Sequence, residues 1–187
     1  MIKVSVLKKW IKMLGGKSIF HVQQKEGKCY SLYEIKGYYN DLTSKVCDST
    51  QLDENGIPVN VTVGGIKCYF PITIFQYALG LYDLYLMNQE KNYAEKFLRV
   101  AEWAINEQKS NGMWECMKNI GDTKHESQSS MCQSEGASLL LRAYLLTNDK
   151  KYYKAAKKSI DFMIQDVKDG GTCYYPKENS PIFQEYV

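Results

Sequence analysis

From Pro71 to about Val167 apolar residues recur three and four positions apart, the spacing of one helix face, in stretches broken by short polar connections. The first stretch opens on Pro71, which suits a first helical turn, and runs to about Met87. The second spans about Tyr93 to Lys109, with Tyr93, Phe97, Val100, Ala101, Ala104 and Ile105 on one face. A third begins near Ser130 and reaches Leu146, and a fourth runs from Lys151 to about Val167. Asn88-Gln89-Glu90-Lys91 and Thr147-Asn148-Asp149 are short enough to make antiparallel neighbours, while Asn111-Gly112 and Asp169-Gly170-Gly171 end each pair. Residues 115–130 are polar and irregular. Upstream the pattern changes. Residues 17–36 alternate, as in Cys29-Tyr30-Ser31-Leu32-Tyr33-Glu34-Ile35, which predicts one or two short strands. Asp53-Glu54-Asn55-Gly56 reads as a turn.

The two helical pairs are copies. Shifting the chain by 59 positions sets Ala78 on Ala137, Leu81 on Leu140, Tyr85 on Tyr144, Lys91 on Lys150, Tyr93 on Tyr152, Ile105 on Ile164 and Gly112 on Gly171. Glu90/Asp149, Arg99/Lys158 and Trp103/Phe162 are conservative pairs in the same register. A pair of antiparallel helices cannot bury its apolar faces alone and must stack on further copies. The fold class expected is therefore mainly α. Helical-pair repeats form part of an (α/α) barrel or toroid, with a short β-rich amino-terminal segment. Residues 1–33 are expected to be an arm with short strands and residues 34–187 a partial toroid. Two pairs make at most half of a closed ring, so the chain is expected to self-associate or to need a missing second half.

Composition narrows the classes. Hydrophobic residues make up 44% of the 187 positions, enough for a real core. The net charge of +3 comes from 24 basic and 21 acidic side chains without a long run, which gives no reason to expect nucleic acid. Tyrosine is abundant, 15 against six Phe. Its ring and hydroxyl suit sugar clefts, and equally suit the edges of packed helices. Six cysteines are scattered without a C-x-x-C pair, and only two histidines accompany them, so no zinc spacing appears. Free thiols in a reducing, cytoplasmic setting are expected. Met1–Leu14 interleaves lysines with apolar residues, which lacks the continuous apolar core of a signal peptide. It reads as a short helix ending at Gly15-Gly16, packed on the domain or, alternatively, lying on a membrane surface. No run of about 20 apolar residues is present to span a bilayer.

Four stretches, in this order, carry a family resemblance: Gly37-Tyr38-Tyr39-Asn40-Asp41-Leu42-Thr43-Ser44-Lys45-Val46; Tyr69-Phe70-Pro71-Ile72-Thr73-Ile74-Phe75-Gln76-Tyr77-Ala78-Leu79-Gly80; Ser130-Met131-Cys132-Gln133-Ser134-Glu135-Gly136, continuing to Leu141-Arg142-Ala143-Tyr144; and Glu185-Tyr186. With Gly112-Met113-Trp114 between them, the chain resembles the C-terminal catalytic region of the D-glucuronyl C5-epimerases over about residues 34 to 186. It departs from that pattern at Ser134, where the family usually has glycine, and at His125–Ser129, where it usually has aromatic residues.

The resemblance implies a uronate-containing polysaccharide as partner and inversion at C5 of D-glucuronate to L-iduronate in a heparosan-like chain. No cofactor is expected, and no metal site is visible, although a loop could supply oxygen ligands for a cation. Removing a proton α to a carboxylate needs that carboxylate neutralised, with an acid and a base on opposite ring faces. Glu185 and Tyr186 match the family's Glu-Tyr pair, which implies acid/base roles, and Tyr38 matches a tyrosine lining the cleft. Gln133 and Glu135 open an inner helix whose amino end favours anions, or they simply hydrogen-bond the loop there. Arg142 is a candidate to neutralise the substrate carboxylate, or a partner in an interhelical ion pair. Trp114 either stacks on a sugar or belongs to the core, and His125 lies in a polar loop. A uronate lyase shares the proton-abstraction step, and a non-catalytic helical-repeat binding module shares the architecture.

Overall fold

The computed structural model describes residues 7–8, 10–11, 14–15, 25–61, 65–116, 128–177, 180–185 and 187. Among the described residues the long elements are α1 (Pro71–Asn88), α2 (Lys91–Glu107), α3 (Ser130–Thr147) and α4 (Lys150–Met163). The strands are two-residue pieces: β1 (Asn60–Val61) pairs antiparallel with β2 (Lys67–Cys68), and β3 (Cys173–Tyr174) with β4 (Ile182–Phe183). The fold is mainly α with short β segments. No helix is long and apolar enough to cross a membrane among the described residues.

The 59-residue register holds in three dimensions. α3 starts and ends 59 positions after α1, and α4 starts 59 after α2. The connections repeat too. Gln89 (φ 60°) and Asn148 (φ 56°) both turn left-handed, and each N–H donates back to the carbonyl of Tyr85 or Tyr144. A left-handed residue at this position satisfies a helix-end carbonyl that would otherwise be orphaned. Ser129 caps α3 by accepting from the Cys132 N–H at 3.2 Å, and Asp149 caps α4 by accepting from the Lys151 N–H at 2.9 Å.

The pairs are layered. α1 and α3 are buried on most sides and form the inner layer, whereas α2 and α4 bury one stripe each. The core lies between them, around Phe75, Leu79, Trp114, Leu139 and Leu140. Each such fully buried side chain contributes roughly 1.5–3 kcal/mol through removal from water. α2 and α4 are joined at their surface, where the Tyr152 hydroxyl donates to Glu102 and Lys151 pairs with the same carboxylate at 2.6 Å.

Two glycines permit close approaches. Gly112 has φ +97°, and a Cβ there would lie 2.2 Å from the Lys158 carbonyl oxygen, so only glycine lets the chain leave α2 across α4. A Cβ on Gly136 would fall 2.5 Å from the Trp114 ring and 2.9 Å from Phe75. That glycine lets the Trp114 indole seat under α3.

The amino-terminal strands expected within 17–36 do not appear in the described part. Residues 17–24 lie outside the described residues, and Cys29–Ile35 is a loop of turns and bends. Leu32 is 78% and Tyr33 96% exposed, and no neighbouring strand among the described residues offers a ladder to make the alternation useful. Among the described residues nearby, Glu26 and Asn40 form an isolated antiparallel bridge. Of the expected Met1–Leu14 helix, Leu7, Lys8, Trp10, Ile11 and Leu14 are described, and they are helical and exposed. α4 ends four residues earlier than expected, and Val167–Asp169 forms a separate 3-10 turn capped by Asp166.

Candidate functional site

Where the inner helices α1 and α3 meet, the repeat places unlike polar residues at equivalent positions. Gln76 and Asp83 on α1 correspond to Glu135 and Arg142 on α3. Within each helix the two are seven residues apart, two turns along one face. The segment around Tyr38 lies across this seam.

Gln76 Nε2 donates to Glu135 Oε1 at 3.0 Å. The other oxygen, Oε2, is buried without a hydrogen-bond partner among the described residues. Burial pushes the Glu135 carboxyl up to about 7, with the Gln76 bond and the charge of Lys45 acting the other way. Burial therefore favours the protonated form of Glu135 relative to a solvated glutamate. Asp83 Oδ1 accepts from the Tyr38 N–H at 3.0 Å, and Oδ2 is a second buried oxygen without a partner. Burial pushes Asp83 up to about 6, against the Tyr38 bond and the Arg142 charge.

Arg142 is a clamp on the segment that carries Tyr38. Its Nε donates to the Lys36 carbonyl and Nη2 to the Gly37 carbonyl, both at 2.8 Å. Nη1 donates to the Ser138 carbonyl at 3.0 Å and to the Ser138 hydroxyl at 2.6 Å. Its guanidinium carbon sits 5.6 Å from the Tyr38 ring centroid. It is not the interhelical ion pair weighed from the sequence: its direct hydrogen bonds go to backbone carbonyls and a hydroxyl. Tyr38 is buried against this cation and against Tyr39, with ring centroids 4.6 Å apart. Burial first, then the Glu135 charge, raises the Tyr38 phenol far above its ordinary range. Tyr38 is thus a phenol at any physiological pH.

Gln133 and Trp114 form a different unit. The Gln133 side-chain amide brackets the Trp114 backbone, accepting from its N–H and donating to its carbonyl, both at 3.3 Å. Ser159 of α4 donates to the Gln133 carbonyl at 2.9 Å. The Trp114 indole N–H donates to the Ala104 carbonyl at 2.7 Å, and its ring meets Phe75 edge-on at 5.1 Å. Trp114 is 1% exposed and presents no face for a sugar. These two residues lock one helical pair to the next.

Glu185 is exposed, and Tyr186 lies outside the described residues, as does His125. The tail carrying Glu185 is fixed at the amino end of α3. The Ser130 N–H donates to the Gln184 carbonyl and the Gln184 N–H to the Thr172 carbonyl, each at 2.9 Å. The structure thus gathers Tyr38, Glu135 and Arg142 into one cluster, seats Gln133 and Trp114 in the core, and leaves Glu185 on the surface near the start of α3. Gln76 and Asp83 complete the cluster and were not singled out from the sequence. Laying the two repeats side by side pairs them directly with Glu135 and Arg142.

These features define a mainly helical paired-repeat protein with a buried tyrosine–carboxyl–arginine cluster between its inner helices. Residues 106–187 match the family model of the D-glucuronyl C5-epimerase C-terminus. The D-glucuronyl C5-epimerase of Caenorhabditis elegans is 28% identical over 92 residues, covering 46% of this chain and 15% of that protein. Both likenesses support a resemblance of residues 106–187 to the D-glucuronyl C5-epimerase C-terminal region. The matched part spans only a small fraction of that relative's length.

Proposed function

We propose that this chain carries part of a uronyl C5-epimerase site, which inverts C5 of D-glucuronate to L-iduronate in a heparosan-like polysaccharide. The observation that carries the reading is the match of residues 106–187 to the epimerase C-terminus, a span that includes α3, α4 and the Glu185-Tyr186 tail. In this reading α1 to α4 are two pairs of an (α/α) toroid, with α1 and α3 facing its centre.

The reaction takes the C5 proton to a base on one face of the ring and returns a proton from an acid on the other. Glu185 and Tyr186 are the proposed acid/base pair. Tyr38 stays a phenol, so its role is to hold or donate a proton. Arg142 serves the substrate indirectly, by fixing residues 36–38 so that Tyr38 keeps its place. A protonated Glu135 carries no negative charge at its end of the cluster. That removes a repulsion a fixed anion would exert on the uronate carboxylate.

Incubation with a heparosan-type oligosaccharide in heavy water tests this. The expected result is deuterium at C5 and an iduronate signal by NMR, without chain cleavage. Glu185→Gln is expected to slow exchange by about 100-fold or more, the usual scale for losing a proton-transfer group. An unsaturated product would instead identify a lyase. Unchanged exchange in Glu185→Gln would remove Glu185 from the mechanism.

A further inference from the structure

A cavity of about 300 Å³ that shares no residue with the Tyr38 cluster lies between the start of α1 and the end of α2. Such a volume is at the small end for ligand sites and suits a sugar-sized ring. Part of its lining is aromatic. The Tyr69 ring, 43% exposed, stands 5.9 Å from Trp103, and Trp103 rests edge-on against Phe75 of the core at 6.3 Å. The Tyr69 hydroxyl donates to Asp53 Oδ2 at 2.8 Å, which fixes the orientation of the ring. The polar part comes from the last turn of α2 and the chain just beyond it: Asn106, Glu107 and the Lys109–Glu115 ion pair, at 3.2 Å. Neither Asn106 nor Glu107 makes a side-chain hydrogen bond or ion pair among the described residues.

The repeat shows that a helical pair does not build this by default. In the second pair Gln128 stands where Tyr69 does, and Gln165 and Asp166 stand where Asn106 and Glu107 do. There both polar side chains are tied to the backbone: Gln165 Nε2 donates to the Asp169 carbonyl at 2.8 Å, and Asp166 accepts from the Lys168 N–H at 2.9 Å. The first pair keeps these positions free and sets an exposed tyrosine beside them. A fixed aromatic ring with a free amide and a free carboxylate around one cavity fits a pyranose. Its C–H face lies on the ring and its hydroxyls bond the polar ends. Charge selects the kind of pyranose. Glu107, Glu115 and the Asp53 that holds Tyr69 outnumber Lys109, so a ring bearing a carboxylate is repelled and a neutral one is not.

We propose that this cavity binds the neutral amino-sugar unit of a heparosan-like chain, an N-acetylhexosamine, and not its uronate. The choice of polymer rests on the epimerase reading, whereas the preference for a neutral sugar rests on the cavity alone. Its place in the fold agrees. α1 and α3 lie in register, with Gln76 bonded to Glu135 and with Asp83 and Arg142 both holding residues 36–38, so the two helices start at the same end of the stack. α2 ends there too, and the tail that carries Glu185 is fastened at the start of α3. The cavity and the proposed acid/base pair therefore share one end of the stack, and a sugar chain lying across that end meets both.

The test titrates the full chain with a neutral N-acetylglucosamine trisaccharide and with an all-uronate galacturonate trisaccharide, by calorimetry and by saturation-transfer NMR. The neutral trisaccharide should bind saturably, with transfer to its ring C–H protons, and the galacturonate should not bind at the same concentration. Tyr69→Ala should weaken the neutral sugar roughly 10-fold or more. Tyr174→Ala, which removes an exposed tyrosine of the second pair outside the cavity, should leave binding unchanged. No binding of the neutral trisaccharide to folded wild type would overturn the proposal, as would equal binding by Tyr69→Ala or tighter binding of the galacturonate. If Tyr69→Ala loses helicity, the wild-type preference between the two trisaccharides still decides. The neutral probe contains no uronate, so this readout is separate from C5 exchange. Exchange without binding sinks the cavity proposal and leaves the epimerase reading standing, and binding without exchange does the reverse.

Discussion

Glu135 and Asp83 are buried in the α1–α3 seam, where each has one oxygen without a hydrogen-bond partner among the described residues. Their folded pKa values, about 7 and about 6, lie above those of the unfolded chain. A raised acid favours folding in its protonated form. Its contribution is fully present below the unfolded pKa and is lost as pH rises through the folded one. These two groups should therefore lower stability as pH rises from about 4 to about 7. Glu135→Gln keeps the shape and removes the charge. It should flatten this profile and raise stability at pH 8 on the order of 2 kcal/mol, read by thermal melts across pH. A Glu135→Gln profile no flatter than that of the wild type would contradict the buried placement. At this scale the sequence was legible only in part. Glu135, Arg142 and Tyr38 were visible as candidates, but the acidic partner Asp83 sits in an apolar helix and emerges only when the repeats are compared. Trp114 and Gln133 could not be assigned to the core from residue type alone, because an indole and an amide serve packing and sugar binding equally well.

The helices were legible because local and repeated signals agree. Apolar spacing, a proline at the first turn, polar connections and the 59-residue shift all mark the same boundaries. The Cys29–Ile35 stretch shows the opposite case, since a strand needs a partner that no local pattern supplies. Gly136 lies between these cases. Its counterpart in the first pair is Tyr77, so the repeat gives no reason for a glycine, and the Trp114 and Phe75 rings, 2.5 and 2.9 Å from the missing Cβ, explain it. Gly136→Ala should therefore cost about 1–3 kcal/mol by overpacking, although alanine is the better helix former. Ser129→Ala, which removes only the α3 cap, should cost about 1 kcal/mol. Urea unfolding of both checks the order, and a stabilised Gly136→Ala would mean that Trp114 does not seat under α3.

At the scale of the whole molecule the two pairs differ in what covers them. In the first pair, Ala101 is fully buried and Leu86 and Ile105 pack against the core. At the equivalent positions in the second pair, Leu145 is 52%, Ile160 36% and Ile164 46% exposed. Leu32, Tyr33 and Ile35 add exposed apolar surface beside α3, in a groove bordered by Ser134, Ser138 and Leu141. Leu32, Tyr33, Ile35 and Ile160 line one groove, and an exposed apolar patch of this kind is uncommon on a monomer. The repeat also defines what fits it: the near side of another helical pair, because that is what the same face of the first pair receives. We propose that in isolation the chain covers this face with a second copy of itself. Sedimentation should show concentration-dependent association, and Leu145→Glu with Ile160→Glu should shift it to monomer without loss of helicity. A wild-type chain that stays monomeric with a cooperative melt at every concentration would show that the loop over α3 covers the face well enough alone.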